Sequence, residues 1–255
     1  MIQPYAVTKP LRAVGEFYAM ALDTFVELLK PPFAWREFFL QAWFVARVAI
    51  VPTLLLAIPF TVLVVLTLNV LLTEFGAADF SGTGAAAAAV SEIGPIVTVL
   101  VVAGTGATAM CADLGARAIH EELDALRVMG VDPVRRLAAP RVLAASVVAV
   151  SLVALVTFVG LAGSYCFVVY VQHVTPGAFA AGLTLFTGLP EVILGLVKGA
   201  LFGIAAALIA CYKGMSVKRG PQGVGNAVNE TVVYSFIALF VINIIATAVY
   251  YTSFK

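Results

Sequence analysis

The sequence predicts an all-α integral membrane protein, with an N-terminal amphipathic interfacial helix, five transmembrane helices and an amphipathic cytoplasmic helix between spans two and three. Three observations predict this class. Of 255 residues, 62% are apolar and 11% are charged, with a mean hydropathy of +1.05. A soluble domain is about half apolar and a quarter charged, so a soluble fold could not cover its surface from this composition. Five stretches each approach the roughly 20 mostly apolar residues that a spanning helix needs. Thirteen of the fifteen basic residues fall in alternate loops. The net charge of +1 argues against a nucleic-acid partner, and three cysteines give neither a disulfide framework nor a zinc spacing.

Residues 11–46 come before the first span. Val14, Phe17, Tyr18, Ala21, Leu22, Phe25, Leu28 and Leu29 recur at spacings of three and four, with Glu16, Asp23, Glu27 and Lys30 on other faces. Pro31-Pro32 stops that helix. Trp35, Phe38, Phe39, Trp43 and Phe44, beside Arg36, Glu37 and Arg47, then suit a second helix lying among headgroups. A soluble helical cap is the plainer alternative. A basic start, a short apolar run and a small-residue cleavage site do not occur in that order, so no secretory signal is expected here.

The spans are expected at residues 48–72, 93–112, 142–171, 192–212 and 231–251. Pro52 and Pro59 in span one and Pro95 in span two are kink points, and Gly104 and Gly106 weaken span two further. In span four, Gly195, Gly199 and Gly203 repeat every four residues. Such small residues let helices approach closely in lipid, either within one chain or across a dimer. Cys111, Cys166 and Cys211 read as small apolar residues in or near spans.

Thirteen of the fifteen basic residues lie before span one (Lys9, Arg12, Lys30, Arg36, Arg47), between spans two and three (Arg117, Arg127, Arg135, Arg136, Arg141) or between spans four and five (Lys213, Lys218, Arg219). Basic loops stay cytoplasmic, which puts the N-terminus inside and the C-terminus outside, as an odd number of spans requires. His120 and His173 then fall on opposite sides of the membrane and share no metal site.

The loop between spans two and three is the most patterned. Ile119, Leu123 and Leu126 form one helical stripe, and Glu121, Asp124 and Arg127 form another. Gly130 fits the position just after a helix, and Asp132 can cap the next helix with Pro133 in its first turn. A bounded helix over about 117–130 would transmit a displacement between two spans; a solvated connector fits the same pattern.

Lys198 falls about six residues into span four, with Glu92 and Glu191 at the outer mouths of spans two and four. An intramembrane charge costs about 2.5–3.5 kcal/mol on insertion scales and marks a functional hypothesis. Lys198 therefore either faces a cavity, meeting Glu92 or an anionic headgroup, or is a snorkelling or statically bridged lysine.

Several of these stretches together resemble one family. They are Ala112–Gly115, Glu121-Glu122-Leu123-Asp124-Ala125-Leu126, Met129-Gly130-Val131-Asp132-Pro133, Pro140–Ala144, Gly94-Pro95, Cys211–Gly214 and Gly223–Val233. They are similar to the MlaE/YrbE permeases of Mla and Mce lipid ABC transporters, closest to the A-type YrbE permease of actinobacterial Mce systems. The resemblance implies that residues 1–255 form a single MlaE-type permease domain, an elbow helix followed by five spans, in the bacterial inner membrane. It implies a second YrbE-type permease in a hetero- or homodimer, a cytoplasmic ATPase dimer holding ATP and magnesium, and periplasmic MCE-domain proteins that exchange lipid, with import favoured. It matches Glu121, Glu122, Leu123, Asp124, Leu126, Arg127, Met129 and Gly130 to the family's coupling helix, and Glu92, Pro95 and Lys198 to the surroundings of its lipid pocket. Ser91 and Thr105 stand where many members carry arginine, which leaves room for fatty-acid or sterol cargo as well as phospholipid.

No G-x-x-x-x-G-K-[ST] phosphate loop occurs, so the energy source must be another chain. Asn229-Glu230-Thr231 forms a sequon on the cytoplasmic side, where Asn229 reads as a cap. An integral-membrane lipid enzyme would need a convergent catalytic set, and Asp113, His120, Glu121, Glu122 and Asp124 lack a nucleophile or metal group. An ion-coupled or ATP-independent transporter remains the alternative, although five spans do not divide into two related halves.

Overall fold

The computed structural model describes residues 5–31, 33–76, 84, 88–171, 175–186, 188–217 and 220–254. His173, Lys218, Arg219 and Lys255 lie outside the described residues, as do the side chains of Lys9 and Ser91. No strand occurs among the described residues. Five helices are long and apolar enough to cross a membrane: Trp35–Leu72, Ala88–Ile119, Val134–Val171, Leu189–Met215 and Pro221–Thr252.

Helix α1 (Tyr5–Leu29) ends before Pro31. Helix α2 (Trp35–Glu74) is one helix of 40 residues, so the aromatic stretch is not a separate interfacial helix but the first turns of span one. The reason is local: no Gly or Pro interrupts Trp35–Val51, so the helix has no cause to end there. At 1.5 Å per residue α2 is about 60 Å long, roughly twice the hydrocarbon thickness. Trp35, Phe39 and Trp43 stay exposed on its projecting end.

Span two is broken into a π segment (Ala88–Ile93), α3 (Gly94–Val101), a second π segment (Val102–Ala107) and α4 (Thr108–Ile119). Pro95 supplies no N–H, and the wide turn before it makes room for its ring. The second π segment contains Gly104 and Gly106, the weak point read from the sequence. Thr105 and Thr108 hydroxyls donate back to the Val101 and Gly104 carbonyls at 2.8 and 2.9 Å.

A short helix α5 (Glu122–Val128) leads to span three, which comprises a π segment (Val134–Ala138), α6 (Ala139–Cys166) and a further π segment (Phe167–Val171). Pro140, like Pro95, follows directly on a π segment. Helix α7 (Pro176–Phe186) lies between the expected spans three and four, where no helix was expected. Its Phe179 packs on Val65 and Val168, with the Tyr165 ring 5.4 Å away. Helices α8 (Leu189–Met215) and α9 (Pro221–Phe254) form spans four and five.

Span two is the most enclosed of the five, and spans one and five the least. The glycines of α8 face α6 within the chain. A Cβ on Gly199 would lie 2.9 Å from Val153 Cγ2, and one on Gly203 would lie 2.5 Å from Ser146 Cα; Gly195 has ordinary clearance, 3.7 Å from Val153 Cγ1. The two backbones therefore touch where only glycine fits. Helix α1 is fastened to the basic end of the bundle. The Tyr212 hydroxyl donates to the Ala13 carbonyl at 3.1 Å, Phe17 sits edge-on to Tyr212, and Arg135 donates to the Pro31 carbonyl at 3.1 Å and pairs with Glu27 at 3.4 Å.

Candidate functional site

At the end of the bundle away from the basic loops, a cavity of about 690 Å3 opens between spans one, two, four and five. That volume lies within the roughly 300–1,000 Å3 of small-molecule sites. Its walls are mostly apolar, with Phe60, Val64 and Leu68 from α2, Pro95 and Ile96 from α3, and Leu194 from α8. Six polar side chains interrupt them: Glu92, Glu191, Lys198, Thr247, Tyr250 and Tyr251. Apolar walls with a few placed polar groups suit an amphipathic guest.

Lys198 is 1% exposed. Because α8 begins at Leu189, it lies nine residues in, deeper than the six read from the sequence, or about 13 Å at 1.5 Å per residue. Its Nζ donates to Thr247 Oγ1 at 2.7 Å, and Thr247 in turn donates to the Asn243 carbonyl at 2.7 Å. An ammonium has three donors, and this network occupies one. The structure brings Glu92 into the same cavity wall, exposed on the first π segment of span two, yet no ion pair joins it to Lys198 among the described residues. Across the mouth, the Tyr250 hydroxyl donates to Glu191 Oε1 at 2.9 Å. Pro95 lines the wall, while Thr105 is turned onto its own helix. Glu92 and Glu191 against Lys198 leave the cavity formally at −1.

The opposite, basic end carries α5. The sequence placed one helix over about 117–130. The structure instead ends α4 at Ile119, turns at His120-Glu121 and starts α5 at Glu122. Glu121 has φ of 60°, the only positive φ among the described non-glycine residues, and its carbonyl accepts from Ala125 N–H at 2.9 Å. A left-handed residue at a helix end is usually glycine, so no local signal marked this break. Arg117 bridges it, 3.8 Å from Glu122. Gly130 closes α5 with φ of 75°, and Asp132 Oδ1 accepts from Val134 N–H at 2.9 Å, the cap expected there.

Leu123 is buried against Leu114, Leu137 and Cys211, with Leu126 partly buried beside it. That face roots α5 on the ends of spans two, three and four. Asp124 and Arg127 pair at 2.9 Å on the outer face. Val128 and Met129, 89% and 67% exposed, leave an apolar tip facing outward. Exposed apolar side chains at the end of a rooted helix suit a protein contact.

Two features had no counterpart in the sequence reading. Arg141, a basic loop residue by sequence, is fully buried and donates to Asp113 Oδ2 and to the Leu137 carbonyl. Span five buries Thr231, Ser235 and Asn243 along one face, a spacing of four and eight that an apolar count passes over.

A family profile described as Permease MlaE matches residues 38–249, so α1 lies before the matched region. A probable ABC transporter permease protein of Rickettsia typhi is 31% identical over 175 residues, covering 69% of this chain and 68% of that protein. One from Rickettsia bellii is 26% identical over 241 residues, covering 94% and 93%. The intermembrane phospholipid transport system permease protein MlaE of Haemophilus influenzae is 29% identical over 181 residues, covering 71% and 69%. The match spans most of the chain, including the greater part of each of the five spans, most of the cavity wall and the α5 tip, and this multi-pass membrane protein belongs to the MlaE permease family.

Proposed function

We propose that this chain is the membrane-spanning subunit of an Mce/Mla-type ABC transporter that moves lipid between the inner membrane and periplasmic MCE proteins, in the direction of import. The observation that carries this is the cavity, a mostly apolar chamber with a buried lysine and two carboxylates at one end of the bundle. An acyl chain or sterol body fits the walls, and a small polar head fits Lys198, Glu92 and Glu191. With a formal charge of −1, the chamber favours a zwitterionic or neutral head over a dense anion, and Lys198 alone can pair with a carboxylate, so sterol and fatty acid stand beside phospholipid as cargo. The name of the Haemophilus relative supports the phospholipid reading.

In this reading α5 is the coupling helix. Glu121, Glu122, Leu123, Asp124, Leu126, Arg127, Met129 and Gly130 seat it and present its tip to a cytoplasmic ATPase dimer, which holds ATP and magnesium. The basic distribution supports a cytoplasmic N-terminus and a periplasmic C-terminus. A second YrbE-type permease completes the membrane portion, and an unlike partner fits an A-type subunit. The test is mass spectrometry of lipid carried by the purified complex. Retained lipid that falls about tenfold or more in Lys198→Met, with assembly intact, supports the reading, since a hydrogen bond to a charged group is worth about that factor. Equal retention in the variant refutes the role of the cavity.

A further inference from the structure

The basic end holds a charge cluster that neither the cavity nor the α5 tip uses. Arg141 is the largest fully enclosed side chain among the described residues. One guanidinium nitrogen donates to Asp113 Oδ2. The other donates to the Leu137 carbonyl at 3.1 Å and stands 4.0 Å from Glu37 Oε1. Glu37 also accepts from Gln41 Nε2 at 2.9 Å, and Asp113 lies 3.4 Å from Arg117 Nε. The placement of these residues is specific. Asp113 and Arg117 sit on α4, which runs into the coupling helix; Arg141 sits on α6, which leaves it; Glu37 and Gln41 sit on α2.

One guanidinium thus ties the two legs of the coupling helix to each other and stands at the edge of reach of span one. Packed apolar residues would hold three helices together at lower desolvation cost, so a buried pair is better explained by what it positions than by stability. The cluster is also asymmetric, with Arg141 engaged by Asp113 and only at the edge of reach of Glu37. Arg141 Nε and Gln41 Oε1 are buried and make no hydrogen bond among the described residues. A small rotation of the guanidinium toward α2 would use that spare capacity. Two discrete arrangements of one pair are what transmits a displacement between elements.

We propose that Arg141, with Asp113 and Glu37, is a positioning latch that carries movement of the coupling helix to span one, shifting from Asp113 toward Glu37 as the bundle changes state. The proposal rests on the reading of α5 as a coupling helix, and its test separates the two. In the complex with its ATPase, reconstituted in vesicles, ATP hydrolysis and lipid transfer are measured together for wild type, Glu37→Gln and Glu37→Asp. The latch predicts that Glu37→Gln keeps hydrolysis but lowers lipid moved per ATP about tenfold, the worth of one charge-assisted hydrogen bond, and that Glu37→Asp restores most of it. An unchanged ratio in Glu37→Gln overturns the latch, as does proportional loss of both activities or failure of Glu37→Asp to rescue. Spin labels at Val128→Cys and Leu55→Cys, both exposed positions, read the latch without nucleotide. Glu37→Gln should broaden their distance distribution, and an unchanged distribution overturns it. Absence of ATP-driven transfer in wild type would instead sink the functional reading.

Discussion

Gly195, Gly199 and Gly203 look equivalent in sequence, yet the structure predicts three different responses to alanine. At Gly203 the new methyl would sit 2.5 Å from Ser146 Cα and against the Ala145 carbonyl, both backbone. Carbon contacts settle near 3.5–4.0 Å, so α8 and α6 must separate by about 1 Å. Overpacking of this kind costs about 1–3 kcal/mol, against a helix-propensity gain of about 0.5–1 kcal/mol for Gly→Ala. Gly203→Ala should therefore be destabilised by up to about 2 kcal/mol. Gly199→Ala should fall between, because Val153 Cγ2 at 2.9 Å belongs to a side chain but Val150 Cα at 3.2 Å does not. Gly195→Ala, with 3.7 Å of clearance, should be neutral or stabilised by about 0.5–1 kcal/mol. Lys198 lies five residues from Gly203 on the same helix, so displaced α8 should also retain less lipid. Denaturation in detergent, monitored by helix content and by bound lipid, measures both effects. Equal stability of Gly195→Ala and Gly203→Ala would refute the claim that α6 and α8 touch backbone to backbone.

Strain at the two ends of α5 gives opposite expectations. Glu121→Gly removes a left-handed non-glycine residue, relieving about 1–2 kcal/mol less about 0.5–1 kcal/mol of glycine entropy, so denaturation should show it no less stable than wild type. Gly130→Val forces a β-branched residue to φ of 75°, and the same assay should show a loss of about 1–3 kcal/mol. Met129→Asp places a charge on the exposed apolar tip; the chain should fold normally and, on the proposed function, lose co-purification with the ATPase. Tyr250→Phe removes the hydroxyl that donates to Glu191 and should lower stability by about 1 kcal/mol in the same denaturation assay.

The spans were legible because lipid imposes a simple rule: every backbone polar group must be paired inside one long apolar helix. Their boundaries were not. Val48 looked like a start because charges precede it, yet nothing between Trp35 and Val48 can stop a helix. Leu189 begins α8 through a proline in its first turn, while the hydropathy count began at Val192. Gly130 and Asp132 were readable because each has a conformational signature, whereas Glu121 takes a glycine's backbone angle without being one. Lys198 announced itself as a charge among apolar residues. Its bond to Thr247 joins residues 49 apart in sequence, and no local pattern carries that pairing. Arg141 was misleading for a related reason: a basic residue at the start of a span reads as facing headgroups, and only the meeting of α2, α4 and α6 encloses it.

On the proposed function, force enters at the α5 tip while lipid occupies the far end of the bundle. A photo-crosslinking amino acid placed at Met129, and in a second variant at Tyr251, in the complex purified from membranes tests this most directly. Met129 should crosslink to a nucleotide-binding chain, and Tyr251, at the cavity mouth, to lipid or to a chain on the opposite side. Crosslinks from Met129 to no other chain, or to the partners that Tyr251 reaches, would contradict it.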